Sequence, residues 1–226
     1  GPSNIHPRVL KAISNPIVSH LDPYLLEILE KVSEMLKLVF ETRNEFTIAV
    51  SGTGTAGMEA SLCNVIEPGD EVIVGVSGVF GERMVDMVKR LDGKPIVVEQ
   101  EKGKIIEAER IEEALKESSA KAIAIVHAET STGVLQPLEK IGKIAREYDV
   151  LLIVDAVSSL GGTPVKVDEW GIDICYSGTQ KCLGCPPGLA PITVSDRAWS
   201  VIENRKKPVM SLYFDLTLLR KYWGEE

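Results

Sequence analysis

Apolar and polar positions recur along this chain with two different periods, and the change of period marks the elements. Residues 22–42, DPYLLEILEKVSEMLKLVFET, repeat apolar side chains at three- and four-residue spacing. Asp22 followed by Pro23 suits an N-cap and a first helical position, so the spacing predicts a long amphipathic helix. Beyond it, short β-rich apolar runs predict strands at 46–50 (FTIAV), 71–76 (EVIVGV), 95–99 (PIVVE), 122–127 (AIAIVH), 150–155 (VLLIVD), 172–177 (IDICYS) and 190–195 (APITVS). Segments with an apolar helical stripe lie between them at 56–66, 81–91, 108–118 and 138–148. Strands that are apolar at nearly every position must be buried on both faces. Their alternation with helices predicts a three-layer α/β/α fold around a mostly parallel seven-stranded sheet. The alternation is lost in 203–226, ENRKKPVMSLYFDLTLLRKYWGEE, a tail too short to build a second domain. No internal repeat, low-complexity tract or Pro/Ser-rich linker divides the chain.

Composition narrows the partners. With 226 residues, 44% of them hydrophobic, and a formal net charge of -8, a soluble globular chain with one large core is expected. An acidic balance without a basic run does not suit the phosphate backbone of a nucleic acid, which leaves small molecules. No apolar run reaches the length of a membrane span, and GPSNIHPRVL lacks the charged and apolar regions of a signal peptide, so the cytoplasm is the expected compartment. Cys63, Cys175, Cys182 and Cys185 are too sparse for a disulfide framework and are expected as reduced thiols.

In an open α/β sheet the ligand lies beyond the carboxyl ends of the strands, so the residues following each strand carry the candidate chemistry. After the first comes SGTGTAG, residues 51–57, where Gly52, Gly54 and Gly57 satisfy a G-x-G-x-x-G spacing. A nicotinamide site also wants an acid at the end of the next strand, whereas Asp70 and Glu71 stand at its beginning. What survives is the physics of the turn: close backbone approach, outward first-turn N–H groups and the hydroxyls of Thr53 and Thr55, all suited to a dianionic phosphate. Asp155 ends the strand 150–155. Helix N-cap and metal ligand are ordinary roles for such a residue, with His127 and Glu129 the only further metal candidates and His127 equally a satisfied strand-end histidine; no metal is expected. A lone buried carboxylate also suits pairing with a protonated heteroaromatic nitrogen. Lys181 lies in GTQKCLGCPPG, residues 178–188, facing the ligand crevice, where desolvation turns an amine into a nucleophile toward carbonyls. Phosphate cradle, ring-nitrogen acid and Schiff-base lysine together describe pyridoxal 5'-phosphate. Cys182 and Cys185 have Cys-x-x-Cys spacing but neither a second pair nor a helix N-terminus beneath the first thiol, and are expected to be incidental.

The stretches GPSN, SGTGTAGMEASLCNVIEPGDEVIVG, ETSTGVLQPL, VDAVSSLGGTP and GIDICYSGTQKCLGCPPGLA also carry a resemblance that runs from end to end. The chain resembles the class V aminotransferases of the fold-type I pyridoxal-phosphate superfamily, in particular the alanine-glyoxylate and serine-pyruvate (serine-glyoxylate) group. The resemblance implies that residues 1–226 form the cofactor-binding large domain, with the family's smaller C-terminal domain outside this chain. It implies that Lys181 forms the Schiff base and shuttles the proton, and that Asp155 keeps the pyridinium charged. By the same resemblance Thr53, Gly54, Thr55 and Gln180 bind or flank the phosphate, Phe80 stacks on one ring face, Val157 packs on the other, and Thr130 hydrogen-bonds the ring hydroxyl. Phenylalanine at 80 departs from the tryptophan frequent in this group. The implied reaction moves an amino group from a small amino acid, alanine or serine, to a 2-oxo acid, glyoxylate or pyruvate, with ping-pong kinetics, in a cytoplasmic homodimer. The apolar stripes on the helix from residue 22 and on GPSNIHPRVL are expected at the dimer face, with ordinary core packing the alternative that the sequence leaves open. None of the nine arginines matches the family's substrate-carboxylate position, so little transaminase activity is expected of this chain by itself. Alternatives are a cysteine desulfurase-like lyase of the same superfamily, which typically has a histidine beside the lysine where this chain has Gln180, and an NAD-dependent dehydrogenase.

Overall fold

The computed structural model describes residues 1–223. Eight helices occur among these residues: α1 Pro7–Ile13, α2 Pro23–Phe40, α3 Gly54–Val65, α4 Val79–Arg90, α5 Ala108–Lys116, α6 Glu139–Glu147, α7 Asp196–Glu203 and α8 Leu216–Trp223. The strands are β1 Phe46–Ser51, β2 Glu71–Val76, β3 Lys94–Glu99, β4 Ala122–Val126, β5 Ala128–Glu129, β6 Val134–Leu135, β7 Leu151–Asp155, β8 Ile174–Tyr176 and β9 Leu189–Val194. Seven of them form one sheet in the order β1-β9-β8-β7-β4-β2-β3, and β5 and β6 form a separate ribbon.

All seven expected strands are present, and the alternation within each explains why they read as continuous apolar runs. Val72, Val74 and Val76 face one core, with Ala122, Ala124 and Val126 beside them. Ile73, Ile123 and Ile125 face a second core on the other side of the sheet. α3, α4, α7 and α8 contribute to the first core, α5 and α6 to the second. The pairs β3–β2, β2–β4, β4–β7 and β7–β8 are parallel. β9 is antiparallel to both β8 and β1, because it returns directly from β8 through a loop without a crossover helix.

The long expected helix forms as α2, with the Asp22 carboxylate accepting the Tyr24 N–H at 2.9 Å and Pro23 in the first turn. The tail 203–226, where the alternation of strands and helices is lost, holds one further helix. α8 occupies 216–223 of it, and α7 precedes it, each contributing buried side chains to the first core. α8 is held by a residue that sequence periodicity cannot flag: buried Asn64 donates to Phe214 O at 2.6 Å and accepts from Leu216 N at 3.0 Å. Residues 224–226 of that tail lie outside the described residues. The ribbon β5–β6, spanning AETSTGVL at 128–135, is not marked by any periodicity, because strands of two residues are too short to show one.

Gly142 tests this packing. In a free helix its replacement by alanine would add about 1 kcal/mol of stability. Here a Cβ would stand 1.7 Å from the Trp170 carbonyl oxygen, a backbone atom. Gly142→Ala is therefore expected to lower stability by about 2 kcal/mol in urea denaturation. Unchanged or increased stability would contradict the close approach of α6 to residues 166–171.

Candidate active site

Asp155 closes β7 directly opposite Tyr176 of β8. The residue is 3% exposed, and its carboxylate accepts the Val157 N–H at 2.8 Å on Oδ1 and the Tyr176 hydroxyl at 3.0 Å on Oδ2. Burial pushes its pKa up to about 6, against the pull of these two donors and the positive charge of Lys181. At the end of the neighbouring β4, the His127 N–H donates to Asp155 O at 2.9 Å. Its ring is satisfied by Ser159 Oγ at 2.9 Å and packs edge-on against Trp170, and burial lowers its pKa to about 4. His127 is thus the satisfied strand-end histidine of the two readings left open for it.

Lys181 stands in the loop between β8 and β9, half-buried. The loop is braced internally by Thr179 Oγ1, which donates to Pro186 O at 2.6 Å, and by the Cys185 N–H, which donates to Thr179 O at 2.9 Å. It is braced from outside by Ser3, whose N–H reaches Gln180 O at 2.7 Å and whose hydroxyl reaches Lys181 O at 2.7 Å. Gly1 lies against the lysine stem, where a Cβ would meet Lys181 Cδ at 2.8 Å. The GPSN segment therefore docks on the lysine loop. α1, which follows it, buries no side chain. All four cysteines are free. The Cys182 thiol turns to Ser158 O at 3.5 Å and the Cys185 thiol to Leu183 O at 3.6 Å.

Two helix N-termini meet at this edge of the sheet, and they are treated differently. At α4 the orphan donors are satisfied by a buried acid from another segment. Glu129, 1% exposed, accepts Phe80 N at 3.1 Å and Gly81 N at 3.3 Å, and its other oxygen takes the Ser131 N–H and hydroxyl. Glu129 is thereby committed to fixing Phe80. At α3 no side chain caps the helix. The SGTGTAG glycines shape this end. Gly52, at φ 139°, makes the turn; a Cβ on Gly54 would strike Val157 at 2.6 Å, and one on Gly57 would crowd Tyr176 at 3.1 Å. The Thr55 hydroxyl accepts from Arg83 of α4 at 2.9 Å, and the Arg83 guanidinium lies 4.9 Å over the Phe80 ring.

The residues singled out in the sequence thus form one continuous group. Gly54 touches Val157, whose N–H holds Asp155; a Cβ on Gly178 would meet both Gly54 N at 3.2 Å and Gln180 Oε1 at 2.9 Å, which ties the lysine loop to α3. Thr130 and Ser158 share a hydrogen bond at the rim, and Thr53 stands at the N-cap of α3. Sequence reasoning missed Tyr176, Arg83, Ser158 and Ser3. Arg83, three residues after Phe80 on the same helix face, was the one with a readable spacing. The set fits a phosphorylated cofactor with a basic ring nitrogen. An uncapped helix end and hydroxyls suit the phosphate, and a buried carboxylate short of positive charge suits the ring.

The Aminotransferase class-V family profile matches residues 4–207. An alanine–glyoxylate aminotransferase of Drosophila melanogaster is 44% identical over 225 residues, covering 99% of this chain and 57% of its own length. An (S)-ureidoglycine–glyoxylate transaminase of Bacillus subtilis is 41% identical, covering 100% of this chain and 58% of its own length. The solved structure of an alanine–glyoxylate aminotransferase from Nostoc sp. superposes with a TM-score of 0.98 at 47% identity over 99% of this chain and 59% of that one. The chain belongs to the class V aminotransferases. It spans a little under three fifths of the length of these relatives.

Asp155 and His127 give the site an opposed pH response. A carboxyl with a raised folded pKa stabilises the fold below its unfolded pKa of 3.8, and this is lost as pH rises through about 6. A histidine held neutral stabilises above 6.5, and this is lost as pH falls through about 4. The two largely cancel between these limits. Asp155→Asn removes one of them, so on acidification from pH 6.5 to 4 the variant should lose roughly 3 kcal/mol more stability than the parent. Parallel stability–pH curves would show that the Asp155 carboxyl is not shifted.

Proposed function

We propose that residues 1–226 are the cofactor-binding large domain of a pyridoxal-phosphate-dependent aminotransferase that moves an amino group from a small amino acid to a 2-oxo acid. The observation that carries this reading is the convergence, at the strand ends, of a buried acid, a lysine loop and an uncapped helix N-terminus. When bound, the cofactor supplies an electrophilic carbonyl carbon and a protonated ring that takes up electron density.

The chain's own residues then have distinct tasks. Asp155, oriented by the Val157 N–H and the Tyr176 hydroxyl, holds a proton on the ring nitrogen. In that ion pair its carboxylate regains the charge that burial otherwise disfavours. The α3 first-turn N–H groups, the hydroxyls of Thr53 and Thr55 and the Gln180 amide bind the phosphate dianion. Phe80, fixed through its backbone by Glu129, and Val157, set against Gly54, enclose the ring from two sides. Thr130, hydrogen-bonded to Ser158, addresses the ring hydroxyl. The Lys181 amine would be the nucleophile toward the carbonyl, and its Nζ would be the base that takes the substrate α-carbon proton and returns it. The Ser3 contacts hold the backbone from which it acts.

For the substrates, we infer alanine or serine as donor and glyoxylate or pyruvate as acceptor. What supports this is that the named relatives share glyoxylate and differ in the donor, alanine or (S)-ureidoglycine. Gln180 before Lys181 favours amino transfer over desulfuration. A homodimer is proposed on α1 and α2, supported by apolar side chains left exposed there, including Leu10, Ile13, Tyr24, Leu26 and Leu38.

Titration of the purified chain with pyridoxal 5'-phosphate tests the reading. A saturable visible absorption band is expected, absent in Lys181→Ala and altered when alanine is added. A colourless protein that refuses the cofactor, or one that binds NAD instead, would sink it.

A further inference from the structure

Arg83 is unexplained by the tasks assigned above. It stands exposed at the rim on α4, yet its guanidinium reaches across to the first turn of α3, donating to Thr55 Oγ1 at 2.9 Å while lying 4.9 Å over the Phe80 ring. No described carboxylate pairs with it. Of its acidic neighbours on α4, Glu82 faces Lys102 at 3.6 Å and Asp86 is taken by Arg90 at 2.8 Å. Glu129, the buried acid nearest in function, has both oxygens engaged by N–H and hydroxyl donors of Phe80, Gly81 and Ser131.

The electrostatics of this placement are unfavourable in isolation. The N-terminus of α3 carries the positive end of the helix dipole, equivalent to about half a unit charge, and has no side-chain cap. A guanidinium brought onto that end adds positive charge to positive charge, in a chain whose formal net charge is -8 and which offers acids elsewhere. A solvated arginine would gain by turning away toward water or a carboxylate. An anion between the helix end and the guanidinium reverses the sign of the balance, because both then act on it together. Only one N–H of the guanidinium is used on Thr55, and the remaining donors match phosphate oxygens.

We propose that Arg83 belongs to the phosphate site, giving its charge and N–H donors to a phosphate monoester seated at the α3 N-terminus. The inference rests on the pyridoxal-phosphate reading, and it assigns to Arg83 a ligand contact rather than a purely structural link between Thr55 and Phe80. Its contribution is specific to the phosphate group, so it must vanish for the same ring system without one.

The test compares equilibrium binding of pyridoxal 5'-phosphate and of pyridoxal, the unphosphorylated aldehyde, to the parent chain, Arg83→Leu and Arg83→Lys. Thermal melts without ligand establish that each variant is folded. Arg83→Leu should weaken binding of the phosphate ester about tenfold, the scale of one partly exposed charged hydrogen bond, and leave pyridoxal binding unchanged. Arg83→Lys, which keeps the charge, should recover most of the loss, and the parent's affinity for the ester should fall more steeply with salt than that of Arg83→Leu. Equal weakening for ester and aldehyde, or no weakening of either, overturns the assignment while leaving the cofactor reading intact. Failure of the parent chain to bind the ester removes the cofactor reading itself, and the Arg83 assignment with it.

Discussion

A carboxylate buried at the end of a parallel sheet is costly unless it is hydrogen-bonded or paired, and Asp155 organises the site around that requirement. The Val157 N–H and the Tyr176 hydroxyl satisfy part of it and leave the acid with a pKa raised to about 6. Both partners are themselves placed by the fold. Tyr176 is the register partner of Asp155 on β8, and Val157 follows in the turn that leaves β7 and packs against the first turn of α3. Because β8 leads straight into the lysine loop, the element that orients the acid also presents Lys181. A positive charge within the site would complete what two neutral donors leave unfinished, and on the proposed reading a protonated ring nitrogen is that charge.

The two helix ends show how selectively the chain treats its unsatisfied donors. α4 receives a buried glutamate from the 128–135 ribbon, which immobilises the segment carrying Phe80. α3, a few ångströms of side chain away through Thr55 and Arg83, receives no cap. A missing side-chain cap is not peculiar to α3, since α5 and α6 lack one too; what sets α3 apart is that its first turn packs on Val157 and faces Gly178 of the lysine loop, where an anionic ligand would complete it. Both Glu129 oxygens are engaged by donors of Phe80, Gly81 and Ser131, so this acid ties α4 to the 128–135 ribbon.

The layering of the fold was legible because burial on both faces writes itself into the sequence as unbroken apolar runs such as AIAIV and LLIVD. The carboxyl ends of those runs then pointed to Asp155, Lys181 and the SGTGTAG turn. What stayed hidden depends on single long-range contacts that leave no period. Asn64 anchoring α8, Ser3 bracing Lys181 O and Glu129 capping α4 each join residues far apart in sequence. Within 203–226 no helix was marked, because α8 is short, and its start is tied down by the Asn64 side chain. Tyr176 could have been found by following the β-strand register from Asp155, had the pairing of β7 with β8 been known beforehand. The Cys-x-x-Cys pair, prominent in the sequence, forms only weak thiol contacts to carbonyl oxygens.

Reductive trapping probes most directly whether this lysine, among all those on the chain, forms the covalent link. The chain is incubated with pyridoxal 5'-phosphate, the imine is reduced with borohydride, and the digested protein is mapped by mass spectrometry. A single phosphopyridoxyl group per chain, confined to the peptide containing Lys181, is the predicted result. Label spread over the exposed lysines, with Lys181 unmodified, would contradict it.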